Sequence, residues 1–295
     1  PPGLRLDRYV AEYTGLLTRS QIKSRRLSAR LNGKAVKISR PVKGGDLLEL
    51  LWSDPPPTDL LPEDIPLDIL YEDDRVVVVN KAQGMVVHPG AGNSGGTLAN
   101  ALLFRRRQRG CPGNFEGNLR PGIVHRLDKD TSGVIIAAYD DEALTFLAEQ
   151  FKNRRVKKRY AALVKGTPPE PGGTVETFLS RDSRDRKRFA VSRGRGKIAL
   201  TRYRVIRSWG AYSLLLLAPK TGRTHQLRVH MRFLGHPLLG DPVYGSPDSR
   251  FPGLGLMLHA KSLALVLPGR EGRETFRTSL PSRFKDTIRI LEGKG

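Results

Sequence analysis

The chain has 295 residues, and 51 Lys and Arg against 29 Asp and Glu give it a formal net charge of +22. With 38% hydrophobic and 27% charged residues it has enough apolar material for a folded core, and no run approaches the apolar length of a membrane span. Cys111 is the only cysteine, which excludes an intramolecular disulfide and a thiolate cage for zinc and suits a reducing cytoplasm.

Positive charge gathers at 105–109, 152–159, 181–188 and 193–207, with Asp182 and Asp185 the only acids among these stretches. Without a long basic amphipathic helix, that clustering favours nucleic acid over an anionic membrane as the polyanionic partner. The first residues, Pro1-Pro2-Gly3, carry no apolar signal segment, and the absence of an initiator Met leaves room for a true start upstream.

In chain order, Leu4, Leu6, Tyr9 and Val10 predict a short amphipathic helix, and Thr18-Arg19-Ser20 can cap a second beginning near Gln21. Leu31-Asn32-Gly33-Lys34 reads as a tight turn between short strands, and Gly44-Gly45-Asp46 as a turn into a strand at 47–51. Two small helices followed by strands, with Arg19, Lys23, Arg25, Arg26 and Arg30 along them, resemble the alpha-L RNA-binding domain of a ribosomal small-subunit protein, which makes 1–53 one domain. The prolines from Pro55 to Pro66 predict a semi-rigid linker over 54–68. Beyond it, apolar runs at 76–79, 85–87, 134–138, 160–164, 212–218 and 263–267 predict strands, and 141–151 and 226–234 have helical periodicity. This is an α+β pattern without βαβ alternation, over a second domain of 69–290 that leaves 292–295 as a frayed tail.

The segment Gly122-Ile123-Val124-His125-Arg126-Leu127-Asp128-Lys129-Asp130-Thr131-Ser132-Gly133 crowds both signs of charge between a glycine turn and an apolar strand. By composition it can be a capped turn, with Asp128 or Asp130 satisfying local backbone donors, or a reactive loop. It resembles the H-R-L-D-x-x-T-S-G signature of the RluA/RluD family of RNA pseudouridine synthases. Further landmarks of that family follow in order: Glu72-Asp73-Asp74, the stretch from Gly84 to Gly90, Lys158 to Ala162, Gly196 to Thr201, Thr221 to His230, and His236 to Gly245. One departure is Ala82, where the family usually has Pro after Asn-Lys.

The resemblance implies a pseudouridine synthase domain with a mixed, mainly antiparallel sheet. It also implies an isomerase that needs neither cofactor nor metal and acts on large-subunit (23S) ribosomal RNA or a pre-ribosomal particle, as a cytoplasmic monomer. It makes Asp128 the carboxylate that attacks the anomeric carbon or the ring, or that removes a ribose proton; these routes stay open. A carboxylate shielded from water needs a cation beside it. The resemblance assigns that role to Arg228, with Arg223 as a second candidate, and an arginine can grip a carboxylate through two hydrogen bonds. Tyr160 is expected to stack on the uracil and to help remove the proton from its C5. A target base must be everted before it can react. Arg126 is the candidate wedge, a planar group able to stack on bases, and His125 and His225 are expected to seat the nucleotide. His125 is equally readable as a neutral structural histidine.

Three rivals are weighed. A metal hydrolase would use His225, His230, His236 and Asp241, but the first two are five apart and no H-E-x-x-H is present. A glycosidase needs two separated carboxylates, and Asp128 and Asp130 are too close in sequence to establish that geometry. A catalytically idle RNA-binding or ribosome-assembly factor would make no use of Asp128, Tyr160 and Arg228 together. Residues 92–96 are glycine-rich but lack the Gly-Lys-Ser/Thr ending of a nucleotide loop.

Overall fold

The structure is a computed structural model that describes residues 3–17, 22, 26–53, 60–90, 93–111, 121–183, 185 and 188–293. The chain divides into two compact units between Asp59 and Leu60.

In the smaller unit, β1 (Leu4–Arg5) pairs with β4 (Pro41–Val42), and α1 (Leu6–Tyr9) continues into a wider π-type turn over Val10–Thr14. The predicted helix therefore begins two residues late, because Leu4 and Arg5 are held in the small ladder. Strands β2 (Ser28–Leu31), β3 (Lys34–Val36) and β5 (Leu48–Leu51) form an antiparallel sheet with β2 in the centre. Asn32 and Gly33 both take positive φ, 52° and 75°, which the two-residue hairpin turn requires. Leu6, Val10, Leu17, Ile22, Ala29 and Val42 share the core. The expected cap at Thr18-Arg19-Ser20 and the helix start at Gln21 lie outside the described residues.

The larger unit is built on a ten-stranded sheet. Its strands are β6 (Ile69–Glu72), β7 (Val76–Lys81), β8 (Ser132–Ala138), β9 (Lys157–Lys165), β10 (Gly172–Arg181), β11 (Phe189–Ser192), β12 (Lys197–Ser208), β13 (Tyr212–Pro219), β14 (Leu258–Leu265) and β15 (Glu274–Arg277). The order is β11-β10-β12-β13-β9-β14-β8-β7-β6, with β15 also on β14; every pairing is antiparallel except β14 with β8. The helices are α2 (Leu98–Arg109), α3 (Asp141–Lys152), α4 (Gln226–Phe233) and α5 (Ser282–Leu291). The α+β class with a mixed, mainly antiparallel sheet is thus what the sequence implied.

The parallel contact is short, only His259 opposite Ser132 and Ala260 opposite Gly133. Past it the two strands part, and residues 122–125 take the place of a neighbouring strand: Gly122 accepts the Ala138 N–H, Ile123 bridges Ala137, and the His125 ring accepts the Ile136 N–H at 3.1 Å. The backbone groups of β8 are thereby satisfied where the sheet opens.

Several expectations need correction. Met85 to Val87 is not a strand, because the Val86 and Val87 carbonyls accept the Leu98 and Ala99 N–H groups at the start of α2. The strand expected at 263–267 runs over 258–265. The basic run at 105–109 is the last turn of α2, where cations suit the carbonyl end of a helix, and Arg105 grips Glu72 through two hydrogen bonds. Glu292 is not frayed; its N–H is bonded to Ile288 and its side chain pairs with Arg207. The second half of the expected linker lies against the larger unit, with Glu63 accepting the Gly96 N–H and Leu61 accepting the Asn100 amide.

Candidate active site

The opening in the sheet is lined by a cleft of about 490 Å³, the size of a small-molecule site. All seven residues singled out from the sequence reach it: His125, Arg126 and Asp128 from the loop before β8, Tyr160 from β9, Arg223 and His225 from the turn before α4, and Arg228 from α4 itself.

Asp128 closes its turn through the main chain, its carbonyl accepting the Thr131 N–H at 3.1 Å. Its carboxylate accepts no hydrogen bond among the described residues, so it is not the cap of its own loop. The side chain is 21% exposed and lies 3.7 Å from Arg228 Nη1, whose side chain is 7% exposed. The expected two-bond grip of Arg228 on Asp128 is not what forms. Arg228 Nε and Nη2 donate at 2.8 and 2.7 Å to Asp241, leaving Nη1 for Asp128.

Asp241 is the residue the sequence reading missed, having been weighed only as a metal ligand. Its side chain is fully buried. Oδ1 also accepts the Val243 and Tyr244 N–H groups at 2.9 and 3.0 Å. Burial works to raise the pKa of Asp241, but the Arg228 guanidinium and the two N–H groups outweigh it and hold the pKa below the usual value. Arg228 is pushed upward in turn, since its two acidic neighbours outweigh its own burial. The Tyr244 ring lies beneath the guanidinium, 5.1 Å from its carbon. The signal for Asp241 was its place in the His236 to Gly245 motif, with no charged partner nearby in sequence.

The turn carrying Arg223 and His225 is fixed by buried Gln226. Its Oε1 accepts from Thr221 Oγ1 and the Arg223 N–H, and its Nε2 donates to Leu200 O and Thr201 Oγ1 on β12. His225 begins α4 at φ 55°, and its Nδ1 shares a 2.8 Å hydrogen bond with the Tyr244 hydroxyl. Arg223 Nε donates to Ile198 O at 3.1 Å, so this guanidinium braces the loop and makes no ion pair with Asp128.

His125 stacks on Phe151 with ring centroids 4.4 Å apart. Burial, and secondarily the charge of Lys158, push its pKa down to about 3, so the ring is neutral and free to accept the Ile136 N–H. Tyr160 is pushed up by burial and then by the negative charge of Asp128, so it keeps its phenolic proton. The other histidines of the metal rival face apart. His230 bonds Thr201 and Thr177, and His236 bonds the Lys165 carbonyl; no group of three ligands converges among the described residues. Asp128 is also the sole acid lining the cleft among the described residues, where a glycosidase would need two.

A guanidinium-flanked carboxylate in a cleft of about 490 Å³, on a chain of net charge +22, fits an enzyme that acts on a polyanion such as a nucleic acid. Comparison with known proteins makes the class specific. The sequence profile described as RNA pseudouridylate synthase matches residues 75–233. The ribosomal large subunit pseudouridine synthase D of Borreliella burgdorferi is 46% identical over 95% of this chain and 87% of that protein. The uncharacterized RNA pseudouridine synthase YlyB of Bacillus subtilis is 37% identical over 99% of this chain and 95% of its own length. Among solved structures, human RNA Pseudouridylate Synthase Domain Containing 4 superposes with a TM-score of 0.61 at 28% identity, over 76% of this chain and 93% of that one. The chain belongs to the RNA pseudouridylate synthase family.

Proposed function

We propose that this protein isomerises specific uridines of large-subunit (23S) ribosomal RNA to pseudouridine, with Asp128 as the residue that begins the reaction. The observation that carries the reading is the Asp128–Arg228–Asp241 chain. A single cleft carboxylate is left without local hydrogen bonds, faced by a guanidinium whose other edge is already fixed. Such an arginine gives the carboxylate an electrostatic partner, and Asp241 prevents the arginine from following it. Two charges share the cation, so Asp128 is oriented without being neutralised and keeps its lone pairs for the ribose or the ring.

Isomerisation breaks the C1′–N1 bond, turns the uracil and joins C5 to C1′. Tyr160 supplies a ring face against which the uracil can lie, and its hydroxyl is a donor, not a base. The help in removing the C5 proton expected of Tyr160 from the sequence would have to come from its hydroxyl in the protonated form. Arg126 is exposed beside Asp128, where a wedge into the vacated stack belongs. His125 shapes the cleft wall as a neutral ring, and His225 and Arg223 flank the nucleotide's path.

The ribosomal target is supported by the relatives from Borreliella burgdorferi and Zymomonas mobilis, whose names specify the large ribosomal subunit. The basic small unit fits an alpha-L-like RNA-binding role. A cytoplasmic monomer without cofactor suits this chemistry, and no helix among the described residues is long and apolar enough to cross a membrane.

Two measurements test the proposal. Purified Asp128→Asn protein should bind RNA as the wild type does yet form no pseudouridine; retained turnover would remove Asp128 from the chemistry. Deleting the gene should erase particular carbodiimide-dependent primer-extension stops in 23S RNA, and unchanged stops there would redirect the search to transfer RNA.

A further inference from the structure

Lys158 and Tyr160 are two residues apart on β9, so both side chains project from the same face of the strand into the cleft. The cleft's other cations differ in placement. Arg126, Lys152, Arg154 and Lys220 are exposed at its rim, Arg223 is half-buried but spends its Nε on the Ile198 carbonyl, and Arg228 is buried against two acids, whereas Lys158 is half-buried and faces no acid among the described residues. Its ammonium has one hydrogen bond, 3.4 Å to the Thr221 carbonyl, and no ion pair among the described residues. Its neighbour His125 is neutral and supplies no counter-charge. A poorly hydrated ammonium facing no acid is destabilised, and an incoming negative charge relieves that cost. Burial lowers the pKa of Lys158 to about 8, which leaves the group a cation at neutral pH.

Two parts of an RNA substrate carry negative charge, the phosphates and, during reaction, the detached uracil. The rim arginines and lysines are placed for phosphates. Lys158 stands deeper, beside the tyrosine that the base would lie against. We propose that Lys158 is a further catalytic residue, whose ammonium contacts the uracil and stabilises the negative charge that the ring carries while it is free of the ribose.

This rests on the assignment of Asp128 and Tyr160 above. When the C1′–N1 bond breaks, its electron pair stays on the uracil and spreads over the ring nitrogens and carbonyl oxygens. The ring carbon C5 then supplies the pair that forms the new bond to C1′, the C5 proton leaves to water, and N1 takes a proton from water, so the product is a neutral isomer of the starting uridine. The ammonium neither gives nor takes a proton, so the account holds for any of the routes open to Asp128. A fixed cation at the site of developing charge is worth about 100-fold or more in rate.

The test uses the full chain and a 23S RNA transcript carrying uridine tritiated at C5, with tritium release followed under single turnover and RNA affinity measured by filter binding. Lys158→Met should release tritium about 100-fold more slowly while binding RNA within twofold of wild type. Lys158→Arg, which keeps the charge, should recover most of the rate. A Lys158→Met rate within threefold of wild type, an affinity that falls in step with the rate, or a Lys158→Arg as slow as the methionine variant would each overturn the proposal. The second outcome would mark Lys158 as a phosphate contact. If Lys158→Met unfolds, Lys158→Gln decides by the same rates. Absence of release from the wild-type protein would count against the ribosomal target and not against Lys158.

Discussion

A single guanidinium divided between two acids sets the properties of the site. Asp241 has four hydrogen-bond donors directed at it and no exposure, so it is the anchor, and Asp128, the carboxylate proposed to begin the reaction, is the more weakly held partner. Asp241→Asn leaves Arg228 buried with only Asp128 to balance it, and the arginine should swing to grip the reactive carboxylate. We expect at least a tenfold loss in single-turnover rate with RNA affinity unchanged; an unaltered rate would deny Asp241 its positioning role. Arg228→Lys cannot serve both acids, since an ammonium lacks the planar fork, and should be at least as impaired. The buried histidines make a separate prediction. His125, His230 and His259 are held neutral chiefly by burial, with pKa values near 3, 4 and 4 against an ordinary 6.5. Between those values the unfolded chain binds protons that the native one refuses, so stability falls as pH drops from about 6.5 toward 4. Thermal melts across that range should show the fall. His125→Gln, whose amide oxygen can still accept the Ile136 N–H, should make it shallower.

The cleft exists because two strands meet briefly and then part, and Gly133 sits at the meeting point. It takes φ 114°, and a Cβ there would stand 2.3 Å from the Ala260 carbonyl oxygen of β14. Gly133→Ala must therefore push β14 away or distort β8, with a backbone conformation that alanine disfavours. The cost should be roughly 3 kcal/mol from overpacking and strain together, read as a lower denaturant midpoint. Activity at low temperature should also fall, because the Asp128 loop enters β8 at this residue. Lys81 secures the same loop from behind. Fully buried, it donates to the carbonyls of Ala82, Met85 and Lys129 at 2.8–3.0 Å and ties the turn after β7 to the residue following Asp128. Neither device was legible in the sequence as a local pattern. Val76–Lys81 and Ser132–Ala138 were, as continuous apolar runs that are buried on both faces, and Asp141–Lys152 and Gln226–Phe233 were, by the helical spacing of their apolar residues. The antiparallel pair β10 and β12 was not read as strands: 196–201 entered only as a family landmark and 193–207 as a basic cluster, although exposed Arg202 and Arg204 alternate with half-buried Tyr203 and Val205.

At the scale of the whole molecule, the net charge of +22 sets how the protein meets RNA. Cations that replace counterions on phosphates make binding steeply salt-dependent, with log K falling by about 0.7 per phosphate contacted on single strands. If six phosphates are engaged, affinity should drop by several hundred-fold between 50 and 200 mM salt, by that slope. The tritium-release rate at saturating RNA should hold nearly constant, because the Asp128–Arg228–Asp241 chain is internal and weakly screened. A rate that falls with salt as steeply as the affinity would contradict the separation of rim from interior.

What the sequence by itself determined was chemical identity. The loop around Asp128, the strand bearing Tyr160 and the helix bearing Arg228 are each continuous segments, and a reactive residue with its local frame can be read from neighbours in the chain. What only the tertiary structure decided was partnership. Arg228 meets Asp241 thirteen residues on, His125 meets a backbone N–H eleven residues on, and Lys158 is left without an acid. A sequence shows which charges are present but not which of them burial brings into contact, and electrostatic energy depends on that distance and on the exclusion of water between the charges.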